Sequence, residues 1–265
     1  MKSSDLPVLA SAFARTARLG LREYLVEYPP GVLLAAVLPR TILQVLFLTA
    51  LGRAVGGPAG ASAAGVGASA FAMVTATVNK APDVLINEQV QGTLYRLRMT
   101  ALPLPGLVAA RWAVYAAEAL TAVLVAAPVA ALVAGDGRML RTLPAALPLY
   151  TLMVLSSSAF GFTIAVLAMN GRADVFLTNL ATYLVLALSG VLSPVPGGGM
   201  RAVVGAALPL SHGIAALRAL NSGHGPVLAT ASGEALVGAL WCVLAMVGLR
   251  FQDSRSRRTG RDFLL

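Results

Sequence analysis

The stretch from Asn87 to Arg111, NEQVQGTLYRLRMTALPLPGLVAAR, lies between two long apolar runs and decides how the chain is interpreted. Its polar residues recur at helical spacing on one side, and Val90, Leu94 and Leu97 recur on the other. The polar side comprises Glu88, Gln91, Tyr95 and Arg98. Proline then ends the helix, because it cannot continue the hydrogen-bond ladder. The pattern predicts a short amphipathic helix that either rests flat on a membrane or inserts into a groove of a soluble partner.

The sequence around this stretch is typical of a membrane protein. Of the 265 residues, 57% are hydrophobic and 12% are charged, whereas a soluble domain carries about 25% charged residues. Several apolar runs approach about 20 residues, which is the length of a helix that crosses a hydrocarbon core of about 30 Å. The composition therefore predicts an integral membrane protein of the all-α class.

Hydropathy predicts six transmembrane helices, so that residues 31–250 form the transmembrane domain. The spans are predicted at 31–51, 59–79, 107–134, 146–169, 175–193 and 226–250. The second span is rich in Gly and Ala and is expected to pack closely against a neighbouring helix.

Three further segments complete the predicted architecture. Residues 1–30 contain an amphipathic helix whose arginines share one side, and we expect it to lie at the membrane interface. Met200–Leu208 and His212–Leu220 are predicted as two helices too short to span, which form a re-entrant or interfacial cap between spans five and six. Residues 251–265 are predicted as a basic cytoplasmic tail.

The distribution of Lys and Arg predicts the orientation. Basic residues concentrate in the segments that lie inside when the N-terminus is inside, so both termini are predicted in the cytoplasm. The net charge of +9 is then explained by lipid headgroups, and nucleic acid is not expected as a partner. The Ala- and Arg-rich, Lys-poor composition favours the plasma membrane of a bacterium with a GC-rich genome.

The sequence contains no pattern that predicts catalysis or a cofactor. There is no Walker A motif, no HExxH and no GxSxG. Cys242 is the single cysteine, and no Cys or carboxylate cluster accompanies His212 or His224. The chain is therefore predicted to be neither an enzyme nor a metal protein, so a membrane enzyme is disfavoured.

Three charged residues lie inside the predicted spans. Arg40, Glu118 and Glu234 are each predicted near the middle of the bilayer, where an unpaired charge costs about 2.5–3.5 kcal/mol. Matched depth and opposite sign favour an ion pair of Arg40 with Glu118 or Glu234. Such a pair serves either as a gate or substrate contact, or only to fix the helix register.

Two motifs resemble those of ABC-2-type permeases, the membrane subunits of ATP-binding-cassette exporters. In the first cytoplasmic loop of that family a glutamate precedes Gly-Thr-Leu and a T-x-L-P turn, and the residues matched here are Glu88, Gly92, Thr93, Leu94, Thr100, Leu102 and Pro103. The outer-loop pattern is matched by Ser189–Pro196 and Leu208–Arg218. Tyr95 departs from the family, many of whose members have an acidic residue there.

The resemblance implies partners and sites. It implies two permease copies, expected here as a homodimer, and two ATPase chains that bind the ATP and magnesium, so that no cofactor is expected on this chain. The coupling helix that enters the ATPase would carry Glu88, Gln91, Gly92, Thr93, Tyr95 and Arg98. The second and fifth spans would line the substrate path through Phe71, Met73, Asn179, Thr182 and Tyr183, although ordinary helix packing explains the same residues.

The expected cargo is a hydrophobic drug or natural product, as in drug-resistance exporters. A polysaccharide or lipid-linked glycan exporter is the alternative, and so is a channel or carrier without an ATPase, which the three central charges would favour.

Overall fold

The computed structural model describes residues 6–90, 104–168, 174–193 and 199–259, and this part of the chain is helical with no strand. The α-helices, in chain order, are α1 (Leu6–Glu27), α2 (Pro30–Val32), α3 (Leu38–Phe71), α4 (Asp83–Val90), α5 (Leu104–Ala134), α6 (Gly137–Ala168), α7 (Asp174–Leu188), α8 (Gly199–Ala207), α9 (Ser211–Ser222) and α10 (Val227–Thr259). Two π-helical segments, Leu33–Val37 and Thr75–Lys80, lie on either side of α3. The predicted all-α class is confirmed.

Several helices are long and apolar enough to cross a membrane. Among the described residues these are Pro30–Ile86, Gly106–Ala134, Gly137–Ala168 and Val227–Gln252, which makes four candidate spans. The number rises to five if α8 and α9, which are bent by 94° at their junction, count together as one span. The apolar helix Val175–Leu188 is shorter.

The stretch Pro30–Ile86 is not one straight rod, because the chain turns back within α3. Gly56 and Gly57 have non-helical backbone angles, and Gly57 has a φ of 62° that favours glycine. On either side of this break the backbones of Gly52 and Gly60 are in close contact, and the methyl group of Thr49 lies beside Gly65. A straight helix would separate Thr49 and Gly65 by about 24 Å at 1.5 Å per residue. The two halves of α3 therefore pack side by side through small residues.

The core is built from helix pairs around α5 and α6. Helix α3 packs along α5, α10 packs along α6, and α1 lies across the first half of α5. Alanine and valine dominate the buried positions of this core, together with Met73, Met153 and Phe160. Small side chains allow close approach of helices, which replaces the hydrophobic driving force that lipid does not supply.

The bent pair α8–α9 covers one end of the bundle, where α9 packs on α10 and α6. The two helices agree in position with the short helices predicted at Met200–Leu208 and His212–Leu220. We call this the cap end, and we call the opposite end, where α1 meets α5, the α1 end.

A substitution at Gly52 tests the close contact within α3. A Cβ atom there would lie 2.6 Å from the Gly60 carbonyl oxygen and would overlap the Ala64 side chain. We expect Gly52→Ala to destabilise the protein by about 1–3 kcal/mol, as overpacked cores do, measured as a lower Tm in detergent. Gly56→Ala is the matched control, because no atom lies within 4 Å of a Cβ there. Equal effects of the two substitutions would contradict the packing described.

Candidate functional site

A buried ion pair joins α5 to the π-helical segment at the α1 end. The Lys80 ammonium lies 2.5 Å from Oε1 of Glu118, and each side chain is 10% exposed. Lys80 is the last residue of the π-helical segment, and Glu118 lies in the middle of α5. Since a charge inside a membrane protein is costly without a partner, this pair ties the two elements together.

Three tyrosines surround this ion pair. The Lys80 ammonium lies 3.9 Å from the ring centroid of Tyr28 and 5.8 Å from that of Tyr24, within the range of cation–π attraction. Tyr24 also packs edge-on against Tyr115 of α5, with ring centroids 5.5 Å apart. Burial, and then the negative charge of Glu118, raise the pKa of the Tyr24 hydroxyl, so it stays protonated. Because Tyr24 and Tyr28 belong to α1 and its end, the cluster docks α1 on the bundle.

A small cavity of about 30 Å³ adjoins the ion pair. Arg40, Thr41 and Gln44 of α3 line it on one side, and Lys80 and Glu118 line it on the other. The predicted pairing of Arg40 with Glu118 or Glu234 stays a prediction, since in this structure Arg40 makes no ion pair with a described residue. Glu118 binds Lys80, which lies at the end of the π-helical segment, beside the middle of α5.

Glu234 holds the N-terminus of α9 at the cap end. Its side chain is fully buried, and its carboxylate accepts hydrogen bonds from the backbone N–H of Leu210 (3.0 Å) and of Gly213 (2.9 Å). A carboxylate at this position is favoured by the free N–H groups and the dipole of the helix. It also stabilises Leu210, whose φ of 71° is unusual for a residue with a side chain. The partners of Glu234 are therefore backbone groups of the cap.

Arg218 joins the cap to two other parts of the chain. Its guanidinium donates to the carbonyl of Ala63 (2.8 Å from Nη2) and to the carbonyl of Gly190 (2.7 Å). Ser189 donates to the carbonyl of Pro209 at 2.9 Å, which ties the end of α7 to the junction between α8 and α9. These contacts give a structural reason for the serine and the arginine in the outer-loop motif.

Asp136 closes the cap end next to these residues. Its Oδ2 accepts hydrogen bonds from the Ser62 hydroxyl (2.5 Å) and the Asn221 amide (2.8 Å), and its Oδ1 accepts one from the Arg138 N–H (3.1 Å). Partial burial of Asp136 raises its pKa, but the hydrogen bonds from Ser62, Asn221 and the backbone outweigh that effect, so the net pKa lies below its usual range. Asp136 thereby links α3, α6 and α9.

The residues predicted for ATPase coupling lie in and after α4. Glu88 belongs to α4, which begins three residues after Lys80. The others lie outside the residues that the structure describes: Gln91, Gly92, Thr93, Tyr95 and Arg98.

The structure separates the residues predicted for a substrate path into two groups. Met73 is fully buried and Phe71 is 7% exposed, so both pack in the core of the single chain. Asn179 and Tyr183 of α7 are exposed on one helix face. Thr182 is partly buried and donates a hydrogen bond to Asn79 at 2.8 Å, which attaches α7 to the π-helical segment.

The sequence patterns did not predict the partners of Glu118 and Glu234. The sequence does contain one signal for the partner of Glu118. Lys80 is one of two lysines in the chain and ends an apolar run, and Tyr24 and Tyr28 stand four residues apart before it. No pattern indicates that Glu234 binds backbone groups, because those groups exist at every residue. Among the described residues, no three His, Cys, Asp or Glu side chains are arranged to hold a metal ion.

These features define the chain as a multi-pass membrane protein whose charged side chains bind one another or the backbone. Comparison with protein families matches residues 28–221 to the family described as ABC-2 type transporter, and the chain belongs to this family. Its members are membrane subunits of transporters, and they generally act with an ATP-binding-cassette ATPase. No curated protein matches the chain.

The ion pair at the α1 end generates a stability prediction. Glu118→Gln leaves the Lys80 ammonium buried without its counter-ion, and removing one partner of a buried pair costs about 3–5 kcal/mol. We expect Lys80→Met to be similarly destabilising, and the double variant to lose much less than the sum of the two. Thermal unfolding in detergent measures all three, and additive losses would contradict an energetic coupling between the two side chains.

Asp136 predicts a dependence of stability on pH. Because its folded-state pKa is lowered, its contribution is present at neutral pH and is lost as the pH falls through that pKa, below about 4. Asp136→Asn has no carboxylate to protonate. We expect the Tm difference between wild type and this variant to hold down to about pH 4 and to shrink between about pH 4 and about pH 2, as the folded-state carboxylate takes up its proton. A difference that stays constant would overturn the assignment.

Proposed function

We propose that the chain is the permease subunit of an ATP-driven exporter in a bacterial plasma membrane. The observation that carries the proposal is its membership of the ABC-2 type transporter family over residues 28–221. In the proposed complex, two copies of this chain form a homodimer, and two ATPase chains bind ATP and magnesium on the cytoplasmic side. This chain itself would bind no cofactor.

The proposed topology has six spans with both termini in the cytoplasm. The reversal at Gly56 and Gly57 supports counting the two halves of α3 as separate spans. Helix α7 then supplies the fifth span, although it has only 15 residues. The bent pair α8–α9 serves as a re-entrant cap, because neither helix is long enough to cross a membrane.

The proposed ATPase contact is the segment from α4 to the start of α5. Glu88 lies at the α1 end, and the polar residues of the predicted coupling helix follow it in the sequence. Movement of this segment reaches the membrane domain directly, since α4 begins three residues after Lys80, whose ion pair with Glu118 connects it to α5.

The proposed substrate path runs along the exposed face of α7. Asn179 and Tyr183 lie on that face, and Tyr183 is 65% exposed. Phe176 on the same face is 67% exposed, which adds an aromatic surface. A mostly apolar and aromatic face with one polar group suits a hydrophobic drug or natural product. A glycan exporter remains the alternative cargo assignment.

A pull-down of the tagged chain from its native membrane tests the proposal. We expect an ATP-binding-cassette ATPase to copurify with the wild type in mild detergent, identified by mass spectrometry. Glu88→Arg reverses the charge in the proposed docking segment, and we expect about tenfold less ATPase, equivalent to about 1.4 kcal/mol.

Arg141→Glu is the matched control, because it reverses an exposed charge of α6 near the cap end, far from the proposed contact. We expect it to retain the ATPase. If no ATPase copurifies with the wild type in several detergents, the exporter proposal fails and a carrier without an ATPase takes its place.

A further inference from the structure

The two oxygens of the Glu118 carboxylate differ in their hydrogen-bond partners. Its Oε1 is bound by Lys80, whereas Oε2 is buried and has no hydrogen-bond partner among the described residues. Leaving a buried acceptor without a donor costs about 1–3 kcal/mol. An arrangement of the chain that brings a donor to Oε2 would recover this energy.

Arg40 is a donor that lines the same cavity. Its side chain is exposed and makes no ion pair with a described residue. A guanidinium carries five N–H donors and is always charged, so it suits an unoccupied carboxylate oxygen. The cavity between Arg40 and Glu118 measures about 30 Å³, which is room for about two water molecules.

The walls of the cavity are built from irregular helix. Val37 belongs to one π-helical segment, and Thr75, Ala76 and Lys80 belong to the other. Turns of π-helix within α-helical runs are uncommon and frequently occur at functional sites. Both sides of the cavity therefore contain irregular helix of the kind that frequently occurs at functional sites.

We propose that Glu118 exchanges between two states, bound to Lys80 alone or shared by Lys80 and Arg40. In the present state Oε2 accepts no hydrogen bond from a described residue, and the cavity separates it from Arg40. In the second state Arg40 turns inward, binds Oε2 and closes the cavity. The proposal rests on the proposed function, because the exchange would transmit movement of α4 through Lys80 to α3, the first helix of the transmembrane domain.

A second donor lies near Glu118 and has to be tested separately. Burial, the charge of Glu118 and hydrogen bonding between the two side chains all raise the pKa of the Tyr24 hydroxyl, although Oε2 itself has no described residue in full hydrogen-bond geometry. Tyr24 does not line the cavity, whereas Arg40 does. If Tyr24 were the donor in the second state, the cavity would not have to close.

Accessibility of Gln44, which also lines the cavity, measures the exchange. Cys242 is the single native cysteine, so Cys242→Ala provides a background for Gln44→Cys. The permease in complex with its ATPase, in lipid nanodiscs, is modified with a methanethiosulfonate reagent without nucleotide and after vanadate trapping. We expect the rate at which the reagent modifies the cysteine at position 44 to differ about fivefold or more between the nucleotide-free and the vanadate-trapped complex. Leu43→Cys is the control, because Leu43 is exposed beside the cavity and does not line it.

Three variants identify the donor. Arg40→Gln is expected to abolish the difference in rate at position 44, whereas Arg40→Lys and Tyr24→Phe are expected to retain it. The exchange is overturned if the complex hydrolyses ATP while position 44 reacts equally in both conditions, or if the difference persists in Arg40→Gln. A loss in Tyr24→Phe but not in Arg40→Gln also overturns it, and an absent ATPase overturns both this exchange and the proposed function.

Discussion

The structure depends on supplying hydrogen-bond partners to backbone groups that leave the helical pattern within an apolar bundle. Water does not reach such groups in a membrane, so each one left unpaired costs several kcal/mol. At the cap end, Glu234 accepts from the first N–H groups of α9, and Arg218 and Ser189 bind backbone carbonyls. The Trp241 indole donates to the Ala207 carbonyl at the end of α8. The bend of 94° between α8 and α9 is possible because side chains of neighbouring elements provide these partners.

At the α1 end the groups that need partners are charged side chains, whereas at the cap end they are backbone groups. Lys80 and Glu118 neutralise each other, and the rings of Tyr24 and Tyr28 cover the ammonium without competing for its charge. This end contains both π-helical segments and the cavity, whereas the cap end is held by hydrogen bonds to the backbone. The two ends are therefore held by different kinds of contact, charged side chains at the α1 end and hydrogen bonds to the backbone at the cap end.

The all-helical class was predictable from the sequence, while the contacts of the charged residues were not. Apolar runs and the Gly- and Pro-rich breaks predict helices near the positions observed, including the two short ones of the cap. The predicted depths of the charged residues along their spans did not identify the partner of Glu118. That partner is Lys80, which ends the neighbouring helical run, and the part of α5 before Glu118 packs against α1. Met73 shows the same limit, since an apolar side chain in a helix reads alike in a core and beside a path, and here it is fully buried.

The ion pair and the cap share a property that concerns how the protein is made. The partner of Glu118 is Lys80, the partners of Glu234 are Leu210 and Gly213, and those of Arg218 are Ala63, Gly190 and Val191. In every case the partner is nearer the N-terminus. A ribosome therefore delivers each of these three charges to the membrane after the groups that bind it have already been inserted. For Glu234 and Arg218, whose partners are backbone groups, this order spares the nascent chain an unpaired charge in lipid, whereas Lys80 is made before its counter-ion Glu118.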